Sequence, residues 1–200
     1  MSGRSSRKLV VKVQLLQTMS ILVQNIERQT TLFYLFSNNH VNTVITADLD
    51  WEDEEILSYY VTFMKSLALR LNAETAKFFF NDRRPFSGAG ADFPLYTEAI
   101  RFFDHRDPMV RTSVRTLTLA VLKVPDSALR DFVACGPYFV HLACHLRDLW
   151  TRQDRLARQG ADVSGCGDVS DEIDDLLLYL SDIFSLQLAR VPFARLMADF

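Results

Sequence analysis

The chain has 200 residues, 48% of them hydrophobic and 24% charged, with a formal net charge of -3. That is enough apolar material for one sizeable core, and the slightly acidic balance argues against a nucleic-acid binder, whose footprint is a basic excess. Three cysteines, Cys135, Cys144 and Cys166, are an odd number without framework spacing, which points to a reducing compartment rather than a disulfide-stapled secreted domain.

The opening "MSGRSSRKLVVKVQLLQ" starts basic, but Lys12, Gln14 and Gln17 interrupt its apolar run, so no secretory address is read there. Nowhere do roughly eighteen apolar residues follow one another, the length a spanning helix needs. Membrane association is therefore expected to be peripheral.

In chain order, Leu15, Met19, Leu22, Ile26 and Phe33 fall on one helical stripe, predicting a long amphipathic helix from about Val10 to Phe36. A short helix around Val41 to Thr46 follows. Asp50 is the expected cap of the next helix, with Glu52 to Glu55 against its dipole and Ile56, Tyr60, Phe63, Met64, Leu67 and Leu71 on one face. A short segment "AETAKFFF" leads into a loop over 81–92, where Pro and Gly cluster.

Pro94 is placed in the first turn of another helix, where its missing N–H costs nothing. Asp107 and Pro108 open the next, with Val110, Val114, Leu117, Val121 and Val124 on one face and Pro125 as the stop. A helix is expected from Pro137 to about Arg158, then a loop over 159–169. A last helix opens at Ser170, with Ile173, Leu176, Leu177, Leu180, Ile183, Phe184 and Leu188 as its stripe and Pro192 interrupting it. No alternating strand pattern appears, so the chain reads as all-α, a single domain over 1–200. The short breaks between helices, and "DPMVRTSVR" as a HEAT-type second-helix opening, point to an armadillo- or HEAT-like repeat stack, an α-solenoid.

Sites for chemistry are weak. "HLACH" sets His141 and His145 one turn apart beside Cys144, but Leu142 stands where a metalloprotease needs Glu; no metal or cofactor is assigned. The glycines of "SGAGAD" lack the lysine and preceding strand of a phosphate loop. Carboxylates at Glu52 to Glu55 and at Asp171, Glu172, Asp174 and Asp175 read as solvated helix starts, and no serine, histidine and acid set stands out, so no catalytic residue is assigned. Arg101, His105, Arg106, Arg111 and Arg115 cluster at one helix corner. They are the candidate partner-binding residues, against the plainer reading that Asp107 and Arg111 pair between repeats. Phe78 to Phe80, with Phe102 and Phe103, read as core.

The runs "VQLLQTMSILVQNIERQTTLFYLFSNNHVNTVI", "DEEILSYYVTFMKSLALRLN" and "FPLYTEAIRFFDHRDPMVRTSVRTLTL" resemble the FPL-domain family, named for the motif seen here as Phe93, Pro94 and Leu95. The likeness is best over 13–122. It implies a non-catalytic cytosolic adaptor, peripheral to endosomal, lysosomal or Golgi membranes, acting in endosome-to-lysosome transport and autophagy. The implied partners are proteins of that machinery, a ubiquitin ligase among them; the alternatives are a component that supports a ubiquitin ligase and a module that binds anionic membranes peripherally. Family proteins are longer, so the chain is expected to be a fragment or short form.

Overall fold

The structure, a computed structural model, describes residues 2–82, 90–159 and 163–186, with side chains from Val10 onward and, in the last helix, from Gly167. The described residues are helical and contain no named strand; a lone antiparallel bridge pairs Asn81 with Asp92. Two compact units, Met1–Leu129 and Arg130–Phe200, emerge from the contacts. Each has its own packing.

In the first unit, α1 (Ser2–Asn25) is followed by α2 (Gln29–Ser37), α3 (His40–Ile45), α4 (Glu54–Ala68), α5 (Pro94–Ala99) and α6 (Pro108–Lys123). A single 3-10 turn at Thr75–Phe78 precedes the bridge, and a second at Ile100–Phe102 extends α5. The central helix is α4, which packs against α1 on one side and α6 on the other. Its buried Ile56, Leu57, Tyr60, Val61, Phe63, Met64 and Leu67 form the face expected from the sequence, with Leu71 beyond the helix end only half buried. Each large apolar side chain so placed contributes about 1.5–3 kcal/mol. The cap lies three residues later than expected. Asp53, not Asp50, accepts from the backbone N–H of Glu55 and Ile56 at 3.0 and 3.1 Å, while Asp50 accepts from Glu52 N–H in the preceding turn.

The long first helix is interrupted. Residues Ile26 to Arg28 break it, and the Arg70 guanidinium donates to the Ile26 carbonyl there. The buried face is also not the expected stripe. It is Val13, Leu16, Ser20 and Val23, while Leu15 and Leu22 are exposed and Met19 and Ile26 half buried. At about 100° per residue, Leu32 and Phe36 on an unbroken helix would lie opposite that face. The break lets α2 bury both.

Near the 3-10 turn, Phe79 is buried and Phe78 and Phe80 half buried. Phe36 meets Phe79 edge-on at 5.0 Å, Phe33 meets Phe78 at 5.6 Å, and Phe80 meets Phe93 at 5.7 Å. These contacts are core packing. Residues 83–89 of the expected loop lie outside the described residues, and with them the first half of "SGAGAD".

The second unit pairs α8 (Tyr138–Arg158) with α9 (Val163–Ser185). Before them α7 (Ser127–Cys135) fills a stretch for which no helix was expected; Asp126 accepts from Leu129 N–H at 3.1 Å, and Leu129 and Val133 are buried. The last helix starts at Val163, seven residues ahead of Ser170 and inside the expected 159–169 loop. Helical glycine costs about 1 kcal/mol, and burial of Val169 offsets it. Asp171, Glu172, Asp174 and Asp175 thus lie within the helix, not at its start. Val169, Ile173, Leu176, Tyr179, Leu180 and Ile183 are its buried face, with Leu177 and Phe184 exposed. Leu188 and Pro192 lie outside the described residues.

Candidate interaction surfaces

Phe93, Pro94 and Leu95 sit where the bridge ends and α5 begins. Phe93 and Leu95 are fully buried, and Pro94 occupies the first helical position. The Phe93 carbonyl accepts from the N–H of Tyr96 and Thr97, each at 3.0 Å, and its ring stacks on Tyr96 at 6.1 Å. The motif is an anchor of the core. It presents no chemistry to a ligand.

Of the five candidate residues of the arginine corner, Arg101, His105 and Arg106 lie in the stretch between α5 and α6, near a small aromatic cluster in which Trp51 meets Tyr60 at 4.8 Å and Phe102 at 5.3 Å, while Arg111 and Arg115 lie on α6 itself. Arg101 pairs with Glu98 at 2.6 Å, one turn back, and lies 5.9 Å over the Trp51 ring. Arg106 pairs with Glu54 at the start of α4, both side chains well exposed. His105 accepts from Asp107 N–H through Nδ1 at 3.1 Å, and Asp107 caps α6 by accepting from Met109 N–H at 2.8 Å. Arg111 reaches back and donates to the carbonyls of His105 and Arg106 at 2.8 and 3.0 Å. It is half buried, as is Arg115. Arg101 and Arg106 are exposed and face solvent, in ion pairs that exposure makes weak and exchangeable.

Under this corner, the Tyr60 hydroxyl donates to the Ile45 carbonyl at 2.7 Å. Burial pushes its ionisation well above the ordinary tyrosine range; Glu98 adds to the push and Arg101 opposes it.

On α8, His145 Nε2 lies 3.4 Å from Glu172 of α9, an ion pair when the imidazole is protonated. Among the described residues no group of three or more His, Cys, Asp or Glu side chains could hold a metal ion. Cys135 is exposed and Cys144 half buried, and the Cys166 side chain lies outside the described residues.

Two surfaces were not singled out from the sequence. One is the outer side of α8, where partly exposed Trp150 borders an open hollow of about 490 Å³ lined also by Arg147, Arg155 and Arg158. The other is the outer face of α1, where Leu15 and Leu22 of the expected stripe stand exposed beside Val10, Val11 and Ile21. The signal was present: apolar residues cover more of α1 than one buried stripe can use.

No described helix is long and apolar enough to cross a membrane. No solved structure matches this chain. The fruit fly protein "Protein CLEC16A homolog" is 40% identical over 194 residues, 94% of this chain and 18% of the relative. The human "Protein CLEC16A" is 41% identical over 181 residues, 86% of this chain and 17% of the relative. The Arabidopsis thaliana "Protein TRANSPARENT TESTA 9" is 37% identical over 206 residues, 98% of this chain and 24% of the relative. The chain thus spans about a fifth of the length of the curated relatives it matches. Its residues 3–122 match the model of the FPL family, described as an uncharacterised conserved protein, and the chain belongs to that family.

Proposed function

We propose that this chain is a non-catalytic helical adaptor module of endomembrane trafficking, acting in transport from endosomes to lysosomes or vacuoles and in autophagy. One observation carries the reading: FPL-family membership, with animal and plant relatives 37–41% identical across most of the chain. The helices α1, α4 and α6, packed in sequence, support an armadillo- or HEAT-like stack as the scaffold. Such a stack works by presenting a fixed surface. The partners in this reading are proteins of the trafficking and autophagy machinery, with a ubiquitin ligase as one class, on the cytosolic side of endosomal, lysosomal or Golgi membranes.

The exposed members of the arginine corner, Arg101 and Arg106, are the proposed protein contact, with His105 next to Arg106 in the chain and Arg115 further along α6. Arg111 belongs to the same surface but also holds the corner's backbone. The test compares the parent chain with an Arg101→Glu, Arg106→Glu variant in affinity capture and in co-fractionation with endosomal and lysosomal membranes. Capture of trafficking proteins by the parent and their loss from the variant supports the reading. A parent that neither captures such proteins nor co-fractionates overturns it.

A further inference from the structure

The outer face of α1 carries aliphatic side chains along three turns, with Thr18 among them, and they stand exposed among the described residues. Val10, Val11, Leu15, Ile21 and Leu22 are 56, 66, 47, 60 and 44% exposed. Val11, Leu15 and Leu22 recur at steps of four and seven, so they lie on one line along the helix, with half-buried Met19 on its flank. This line is roughly 130–150° around from the face that Val13, Leu16, Ser20 and Val23 bury. The helix is therefore apolar on two sides. One side packs on α4, and the other meets solvent.

The charge on α1 is of one sign. Arg4, Arg7, Lys8 and Lys12 all fall within it, and its 24 residues contain no Asp or Glu. In a chain whose net charge is -3, this is a local basic concentration. Elsewhere on the unit exposed apolar residues are scattered: Tyr34 is on α2, Leu69 just past the end of α4 and Met109 on α6. Single exposed apolar residues are ordinary, whereas a contiguous aliphatic face is a contact surface.

We infer that α1 is a membrane-docking helix, laying Val11, Leu15 and Leu22 into the headgroup boundary of an anionic lipid surface while its basic residues meet the lipid charges. This is the chemistry of an in-plane amphipathic helix, in which a modest aliphatic area and several Lys and Arg act together and neither suffices alone. A protein groove could cover the aliphatic line, but Arg4, Arg7 and Lys8 precede it on a helix without a single acid, which matches a broad anionic plane; half-buried Lys12 donates to the Asp48 carbonyl at 3.2 Å and is not counted with them. The inference deepens the proposed peripheral location of the adaptor. It uses a different surface from the arginine corner, so each can fail alone.

The test is flotation of the 200-residue chain with vesicles of phosphatidylcholine alone or with phosphatidylserine added. The parent is expected on the anionic vesicles, with binding that fades as salt rises, because screening shortens the reach of charge to about 8 Å at physiological ionic strength. A Leu15→Asp, Leu22→Asp variant is expected to lose on the order of tenfold in binding, with circular dichroism and melting unchanged because both positions are exposed. An Arg7→Glu, Lys8→Glu variant provides a second reading and should lose binding to the anionic vesicles without altering the aliphatic line. Absence of parent binding, equal binding to neutral vesicles, or full binding by both variants overturns the inference. So does a concentration-dependent dimer abolished by Leu15→Asp, Leu22→Asp, which assigns the face to a second copy. An Arg101→Glu, Arg106→Glu chain that still floats separates this surface from the protein-binding corner.

Discussion

The hydroxyl of Tyr60 on α4 donates to the carbonyl of Ile45, the last residue of α3, at 2.7 Å in a buried site. Tyr60→Phe keeps the ring contacts with Trp51 but leaves that carbonyl without this donor, which costs about 1–3 kcal/mol. Because burial raises the phenol's ionisation in the fold, the unfolded chain loses this proton first, near pH 10. The contribution is complete below that value and is lost as pH rises above it. Urea midpoints between pH 8 and 11 should therefore fall more steeply for the parent than for Tyr60→Phe.

In the second unit the hydroxyls of Tyr138 and Tyr179 lie 2.9 Å apart, joining α8 to α9. Removing either oxygen is expected to cost about 1 kcal/mol, and removing both less than the sum of the singles. Urea unfolding of Tyr138→Phe, Tyr179→Phe and the double variant measures the difference. Strict additivity would mean that the two hydroxyls act through other partners.

Asp53 accepts two backbone N–H bonds at the head of α4 and Asp107 one at the head of α6. Alanine at either position is expected to lower stability by about 1 kcal/mol, with Asp53→Ala the larger loss. Asp50→Ala, in the preceding turn, should cost less than Asp53→Ala. Equal midpoints for Asp50→Ala and Asp53→Ala would contradict the cap assignment.

Two arginines of one corner should behave differently. Arg106 pairs with Glu54 through side chains 77 and 74% exposed, so Arg106→Ala should shift stability by less than about 1 kcal/mol. Arg111 bonds two carbonyls of the turn before α6, and Arg111→Ala is expected to cost about 1–3 kcal/mol. Thermal melts of the two variants decide it.

Most helices were legible because their starts are written in local chemistry. Pro94, the pair Asp107 and Pro108, and Pro137 each mark a helix start that the fold uses. The strength of α4 came from a single continuous apolar face, which only one orientation can bury. On α1 the stripe of Leu15, Met19 and Leu22 is not the face that is buried, because burial depends on what α4 offers and on where α2 must point. That information is tertiary. The α7 helix is hidden in the sequence although Asp126 supplies its cap, because Pro125 marks the end of α6 and the new start follows it directly. The start of α9 was misplaced because two glycines outweighed the buried Val169. At the arginine corner, spacing alone could not show that Arg111 reaches backward to carbonyls while Arg106 reaches 52 residues back along the chain to Glu54.

The interruption at Ile26 to Arg28 frees one part of the chain from another. Had α1 and α2 formed one rod, any drift in the rotation of α1 would have turned Leu32 and Phe36 with it and disturbed the phenylalanine packing around Phe78 and Phe79. With the rod cut and the Ile26 carbonyl held by Arg70, the outward residues of α1 can change in size or charge while the rest of the unit keeps its register. The first helix is therefore the segment on which related chains can diverge in what they touch without having to relearn how to fold.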